Sequence, residues 1–203
     1  VVDPEQVSLS GVVLAGGQSQ RMGRNKALLE LEGQTLIARV LDSLSPLCDE
    51  LIVSTSDVEL YNGLPVQVVT DVFPGRGALG GIHAGLMAMR NEQAVVVACD
   101  MPFINLSFLR YMAVVSPGYD VVVPQLGEYY EPLHAIYSAT CREPVVQLLS
   151  EGPRRVVDLY SRVRVRKVTA AEVRLFDAEL SFFNVNTPQE WAEARQLIAR
   201  QSK

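Results

Sequence analysis

Histidine is nearly missing from this chain: His83 and His134 are the only two in 203 residues. So few imidazoles exclude a histidine-rich metal centre, and a histidine-based catalytic diad would need distant residues brought together by folding. Cysteine is scarce as well. Cys48, Cys99 and Cys141 are odd in number and widely separated, without the close pairs that structural zinc sites use. No run approaches the roughly 20 apolar residues of a membrane helix, and the opening VVDPEQVSLSG has neither the basic start nor the apolar stretch of an export signal. An excess of positive charge is lacking too. A net charge of −5 does not supply the broad basic field that nucleic acids and membrane surfaces require. These absences lead us to expect a soluble, cytoplasmic protein without nucleic-acid or membrane partners. A small anionic ligand stays compatible, because it needs only a few local cations and backbone N–H groups. No interface pattern stands out on the polar faces, so a monomer is favoured.

What the chain does have is alternation. Short β-branched runs, GVVL (11–14), ELIVST (50–55), VQVVT (66–70), AVVVAC (94–99) and DVVVP (120–124), are separated by helical patterns. Continuous apolar strands of this kind are covered on both faces, as in parallel sheets. TLIARVLDSLSPL, opened by Thr35 as N-cap, and GGIHAGLMAMR read as the intervening helices. The order gives a single-domain, doubly wound, mostly parallel α/β sheet of Rossmann-like architecture. Its two halves would span about 8–105 and about 106–203. NTPQEWAEARQLIAR starts a last helix, with Thr187 at the N-cap, Pro188 first in the helix and Glu190 closing a capping box. RVRVRKV (162–168) alternates strictly and reads as a strand with one charged face. That face is either a solvated edge or a cationic wall for an anion.

The segment GVVLAGGQSQRMGRNKALLELEG (11–33) carries the strongest chemical signal. A glycine-rich turn between a buried strand and a helix brings backbone N–H groups up to phosphate. Two familiar forms do not fit. After Gly17 the next glycine is Gly23, followed by Arg24 and Asn25 rather than by Lys and Ser or Thr, so this is not a Walker loop. The glycines of AGGQSQRMG are adjacent, and the second strand ends in STSD, so a dinucleotide fingerprint fails as well. What is left is a longer loop with the cations Arg21 and Lys26 on its far limb. Such cations are placed to neutralise a triphosphate and a leaving pyrophosphate.

LAGGQSQRMGRNKALL resembles the signature loop of the molybdenum cofactor guanylyltransferase family, the enzymes that make the molybdopterin guanine dinucleotide cofactor. Further segments are similar in the same order: TDVFPGRGALGGIHAGL (70–86), ACDMPFI (98–104), GPRRVVDL (152–159) and FFNVNTPQEW (182–191). The resemblance implies a nucleotidyltransferase that uses Mg²⁺, with GTP and the molybdenum cofactor (molybdopterin) as substrates. Cofactor-delivery proteins or molybdoenzymes would be its partners. It implies that Leu14, Ala15, Gly16 and Gly17 cradle the nucleotide, with Lys26 and Arg21 on its phosphates. Asp71 would hold the base, Ser54 standing near it, while Gly80 and Gly81 permit close approach. Asp100 would bind the metal, and Arg154, Arg155, Asn184 and Asn186 would face the acceptor.

The residues supply reasons of their own. Asp100 follows a buried strand that Pro102 prevents from continuing, so its carboxylate is presented at the ligand edge of the sheet. Magnesium is content with one or two carboxylates, phosphates and water completing its octahedron. In EYYEPLHAIY we expect Tyr137 to pack, with Glu131 and His134 as secondary candidates for substrate contact. The chain departs from the family at Ala78, where a proline is usual, at Asn25, where an aspartate is common, and at Ser54, near which an asparagine is expected. The LAGG tetrad resembles the guanine-using branch. A CTP-using relative on the same fold and a non-catalytic nucleotide or pterin carrier are the competing readings.

Overall fold

The computed structural model describes residues 8–16, 26–73 and 75–201. Gly17 and Arg21, both expected at the phosphate loop, lie outside the described residues. In chain order the first half contains β1 (Ser10–Leu14), a short hairpin of β2 (Glu30–Leu31) and β3 (Gln34–Thr35), α1 (Leu36–Leu44), β4 (Glu50–Thr55), β5 (Gln67–Thr70), α2 (Gly77–Ala88) and β6 (Gln93–Ala98). The second half continues with α3 (Leu106–Val114), β7 (Val121–Leu126), β8 (Tyr129–Tyr130), β9 (His134–Ser138), α4 (Arg142–Ser150), β10 (Val165–Thr169), α5 (Ala170–Arg174) and α6 (Pro188–Gln201).

The main sheet runs β10-β7-β9-β6-β1-β4-β5, with β8 paired to β7. Strand β1 lies parallel between β4 and β6, all five of its residues buried, as expected of a strand covered on both faces. Four strand pairings are parallel, so the mostly parallel α/β class holds. Strand β9 is the departure: it runs antiparallel to both β6 and β7 and carries the HAIY of EYYEPLHAIY into the sheet. Pro124 does not stop β7, which runs on to Leu126. Its carbonyl takes the Glu131 amide (2.9 Å) as the chain turns back into β9.

The helices form as their patterns predict. Thr35 caps α1 by accepting the Ala38 amide (3.3 Å), and Leu36, Ile37, Val40, Leu41 and Leu44 are all buried, at about 1.5–3 kcal/mol for each fully buried large aliphatic side chain. Helix α2 needs a different device. A Cβ on Gly85 would lie 2.3 Å from Val12, so only glycine lets α2 settle directly on β1 and aim its N-terminus at the end of that strand. At α6, Thr187 Oγ1 accepts from the Glu190 amide (3.2 Å), and Glu190 returns a carboxylate to the amides of Asn186 (2.7 Å) and Thr187 (2.8 Å).

The arginine-rich segment yields a shorter strand than expected. β10 starts at Val165, because Arg162 still belongs to the preceding turn, its amide bonded to the Leu159 carbonyl (2.9 Å). It is the outer strand of the sheet beyond β7, and the three arginines of the segment are paired, Arg162 with Glu151 (2.7 Å), Arg164 with Asp120 (3.0 Å) and Arg166 with Glu172, while Lys167 lies over the Tyr130 ring. Hydrogen bonds from Arg164 hold the Asp120 carboxyl down at about 2. This is a charge-paired edge, the first of the two readings, and not a free cationic wall.

Tyr137 packs as expected, fully buried, its hydroxyl donating to the Pro132 carbonyl (2.8 Å). His134 does not face a substrate. It is completely buried, stacked on Phe108 and edge-on to Phe182, and neither ring nitrogen has a hydrogen-bond partner among the described residues. Burial pushes its pKa down to about 4. The sign follows from linkage. Below an unfolded-state pKa near 6.5 the unfolded chain takes up a proton that the folded one refuses, so stability falls as pH drops towards 4, by a total of roughly 3 kcal/mol. His134→Leu is expected to remove this component, measured as a flatter dependence of urea-unfolding free energy on pH between 6.5 and 4. An unchanged slope would refute it.

Candidate active site

Leu14, the last residue of β1, is tied to both neighbouring strand ends. Its carbonyl accepts from the Cys99 amide (3.1 Å), and the Ala15 amide donates to the Ser54 carbonyl (2.8 Å). Thr55 Oγ1 and the buried Tyr61 hydroxyl both donate to the Ala15 carbonyl (3.4 Å each). The chain is therefore pinned at the point where it enters the glycine loop. Beside it, at the carboxyl edge of β1, β4 and β6, opens a cavity of about 550 Å³, within the usual size of small-ligand sites.

Of the residues expected at the site, Leu14, Gly16, Lys26, Ser54, Asp71, Gly81, Asp100 and Asn184 line this cavity. Lys26 and Asp100, 74 positions apart, form an ion pair, and Lys26 Nζ also donates to Asn186 Oδ1 (2.8 Å). The Asp100 side chain is 8% exposed and that of Lys26 23%, so the pair is largely withdrawn from water. Such a pair is strongly destabilised when one partner is removed. The late asparagine segment reaches Asp100 through its backbone: the Val185 amide donates to the Asp100 carbonyl (2.9 Å), and Val185 itself is fully buried. That anchor brings Asn184 to the cavity and Asn186 to the Lys26 ammonium. Asn184 is held by its own bond to the Phe182 carbonyl (2.9 Å).

Gly80 has a role different from the one expected. It does not line the cavity; a Cβ there would sit 2.1 Å from Asp71 Oδ2, so its missing side chain is the space that the Asp71 carboxylate fills. Asp71 Oδ1 also accepts from the Phe73 amide (2.7 Å), which fixes the carboxylate. Gly81 does open onto the cavity, and a Cβ there would come within 3.3 Å of Leu14 and of Ser54 Oγ. Ser54 Oγ, in a residue only 2% exposed, has no hydrogen-bond partner among the described residues. A buried hydroxyl left this way is costly unless a ligand completes it.

Ala15 is buried behind the loop and does not line the cavity. Arg154 and Arg155 do not line it either. They make exposed pairs with Glu151 (3.3 Å) and Asp158 (3.5 Å), which contribute little to stability. A Cβ on Gly152, just before them, would lie 3.9 Å from the guanidinium of Arg76 at the N-cap of α2. Sequence reasoning overlooked the lining residues Thr55, Ser56 and Leu133, which carry no charge or motif to single them out. Glu131 is half-buried, and burial raises its pKa. A larger, more open groove of about 760 Å³ lies at the opposite end of β4 and β5, beside Cys48, Glu50 and Arg90. It has no glycine cradle, and its buried Glu50 is already occupied by Ser10 (2.6 Å) and Arg90 (2.7 Å).

A divalent metal fits the donor set. Among the described residues no group of three or more His, Cys, Asp or Glu could hold one, so Asp100 would be its one charged ligand, with asparagine amide oxygens near by. That is too few donors for a caged metal but suits an ion held mostly by phosphates and water. The Lys26 ammonium already marks the place at Asp100 where positive charge is favourable.

A glycine loop leaving a central parallel strand, with a lysine and an aspartate converging on the cavity beside it, defines a nucleotidyltransferase. The chain belongs to the MobA-like NTP transferase domain family, which it matches over residues 11–166. It is 44% identical to a probable molybdenum cofactor guanylyltransferase of Pelotomaculum thermopropionicum, over 93% of this chain and 92% of that one. To the molybdenum cofactor guanylyltransferase of Desulfosudis oleivorans it is 38% identical, over 94% and 96%. Its fold superposes on molybdopterin-guanine dinucleotide biosynthesis protein A from Archaeoglobus fulgidus with a TM-score of 0.83 at 29% identity, covering 95% of this chain and all of that one. No helix among the described residues is long and apolar enough to cross a membrane.

Gly80→Ala tests the geometry around Asp71. The new methyl must displace the carboxylate, so nucleotide affinity is expected to fall about tenfold or more, with an overpacking loss of roughly 1–3 kcal/mol in stability. Calorimetric titration with nucleotide and thermal melts separate the two effects. Unchanged affinity would show that Asp71 is not needed where it stands.

Proposed function

We propose that the protein transfers GMP from Mg-GTP to the terminal phosphate of the molybdenum cofactor, releasing pyrophosphate and forming the guanine dinucleotide cofactor. The observation that carries this reading is the Lys26–Asp100 pair, held by Asn186, in the cavity at the carboxyl end of β1 of a MobA-like chain. The names of the relatives support the choice of base and acceptor. On this reading residues 8–105 supply the nucleotide half and 106–203 the acceptor half.

The chemistry asks little of acid–base groups. An oxygen of the acceptor phosphate attacks the α-phosphorus, and the bond to the bridging oxygen breaks, the electron pair leaving with pyrophosphate. A phosphate nucleophile is already anionic near neutral pH, so no general base is required, and no histidine lies among the described lining residues. Catalysis then comes from positioning and charge. Leu14 and Gly16 hold the nucleotide in line through the loop, and Lys26 offsets charge on the departing phosphates. Magnesium, held by Asp100, supplies Lewis-acid stabilisation of the same phosphates when bound. Ser54 Oγ and Asp71 would meet the base, the first gaining the partner that it lacks. Asn184 and Asn186 would face the acceptor, with Arg154 and Arg155 as cations for its phosphate.

The deciding assay measures pyrophosphate release from GTP, CTP and ATP with Mg²⁺, each with and without purified molybdenum cofactor. Release that needs the cofactor and prefers GTP is expected. A preference for CTP would move the protein to the cytidylyl branch, and no release with any nucleotide would revive the carrier reading. Asp100→Ala should abolish turnover. Lys26→Ala should lower kcat by ~10²-fold, the size seen when one donor to developing charge is lost; a change confined to KM would mean uniform binding instead.

A further inference from the structure

One carboxylate oxygen of Asp100, the residue that would hold a metal, is occupied by the chain itself. Lys26 Nζ sits on Asp100 Oδ2, and Asn186 Oδ1 holds the same ammonium from a second direction (2.8 Å). Asn186 is a fixed seat, because its own amide is bound by Glu190 (2.7 Å). The Asp100 carbonyl is committed to Val185 (2.9 Å). Among the described residues no further carboxylates join Asp100 to make a group of three. A divalent ion arriving alone would therefore have to compete with a cation already in place, for one carboxylate that the cation neutralises.

From this geometry we infer that Lys26 is a displaceable counter-ion: it blocks the metal position at Asp100 in the nucleotide-free protein and leaves when a triphosphate enters. The lysine lines the cavity on a flexible stem, and the several negative charges of a triphosphate attract it more strongly than one carboxylate does. Its departure uncovers Asp100 as the metal arrives with the phosphates. Metal and triphosphate then bind cooperatively, and each is weak alone. By linkage the coupling is reciprocal, so whatever the triphosphate does for the metal the metal does for the triphosphate. The device keeps Asp100 from collecting adventitious metal ions in a site that has no substrate. It rests on the nucleotidyl-transfer reading of the cavity, but its test needs neither guanine nor the pterin acceptor.

The test is calorimetric titration of the nucleotide-free protein with MnCl2, with tripolyphosphate, and with the preformed Mn–tripolyphosphate complex. For the wild-type protein the complex is expected to bind more tightly than either component. Lys26→Met should bind Mn²⁺ alone more tightly than wild type, by roughly 5- to 100-fold, the range of ordinary coupling between sites. It should also bind tripolyphosphate alone more weakly. Lys26→Arg keeps the charge and should leave Mn²⁺ binding as weak as in wild type. Combining Lys26→Met with Asp100→Asn should abolish the gain.

Equal Mn²⁺ affinity in wild type and Lys26→Met would overturn the inference, as would a gain that survives Asp100→Asn. If Lys26→Met does not fold, the wild-type series decides: Mn²⁺ alone binding as tightly as the complex overturns it. Should these titrations succeed while GTP proves not to be the substrate, the proposed reaction falls and the counter-ion stands.

Discussion

Strand β1 leaves the sheet between two parallel neighbours, and its last peptide groups are bonded to both, through Cys99 on one side and Ser54 on the other. Those two bonds decide where the glycine loop begins. They also place the end of β6, and with it Asp100, one strand away from the loop that supplies Lys26. The parallel arrangement is what makes this possible, because all the carboxyl ends of β1, β4 and β6 then face the same edge. Glycine at position 85 contributes from below, since α2 could not otherwise lie close enough to β1 to bring its N-terminus to that edge.

The Asp100 charge is balanced within the chain. Asp100 and Lys26 neutralise each other in a largely buried setting, and Asn186 takes a further ammonium hydrogen without adding charge. A buried pair of this kind is poor evidence for stability, because the cost of removing both ions from water offsets their attraction. Its value is in what it can exchange. The same balance on the far edge of the sheet is of a different sort: Arg162, Arg164 and Arg166 pair with carboxylates on exposed or half-exposed surface, where the effect is to discourage another strand from adding to β10.

Much of this architecture is legible in the chain. The five β-branched runs became strands, Thr35 and Thr187 became caps, and Lys26, Asp71, Asp100 and Asn184 came together around one cavity. Where the reading went astray, the cause was a preference that local pattern does not carry. His134 was a secondary candidate for substrate contact, since histidine is intermediate in its preference for burial. In β9 its register points it into the core between Phe108 and Phe182. The strand expected from Arg162 begins only at Val165, because a turn bonded to Leu159 competes for the first residues. Gly80, expected to permit close approach, leaves the space that the Asp71 carboxylate fills.

Periodicity and turn chemistry act over a few residues, so the sequence by itself determined the elements, their order, the glycine loop and the presentation of Asp100 beyond its strand. The partnership of Lys26 with Asp100 and Asn186 spans 74 and 160 positions and was decided only by the tertiary structure. So was the antiparallel entry of β9, which depends on strand pairing between distant segments. Contacts of that range leave no local pattern, because they exist only after the sheet has closed around β1 and set the ends of its strands side by side.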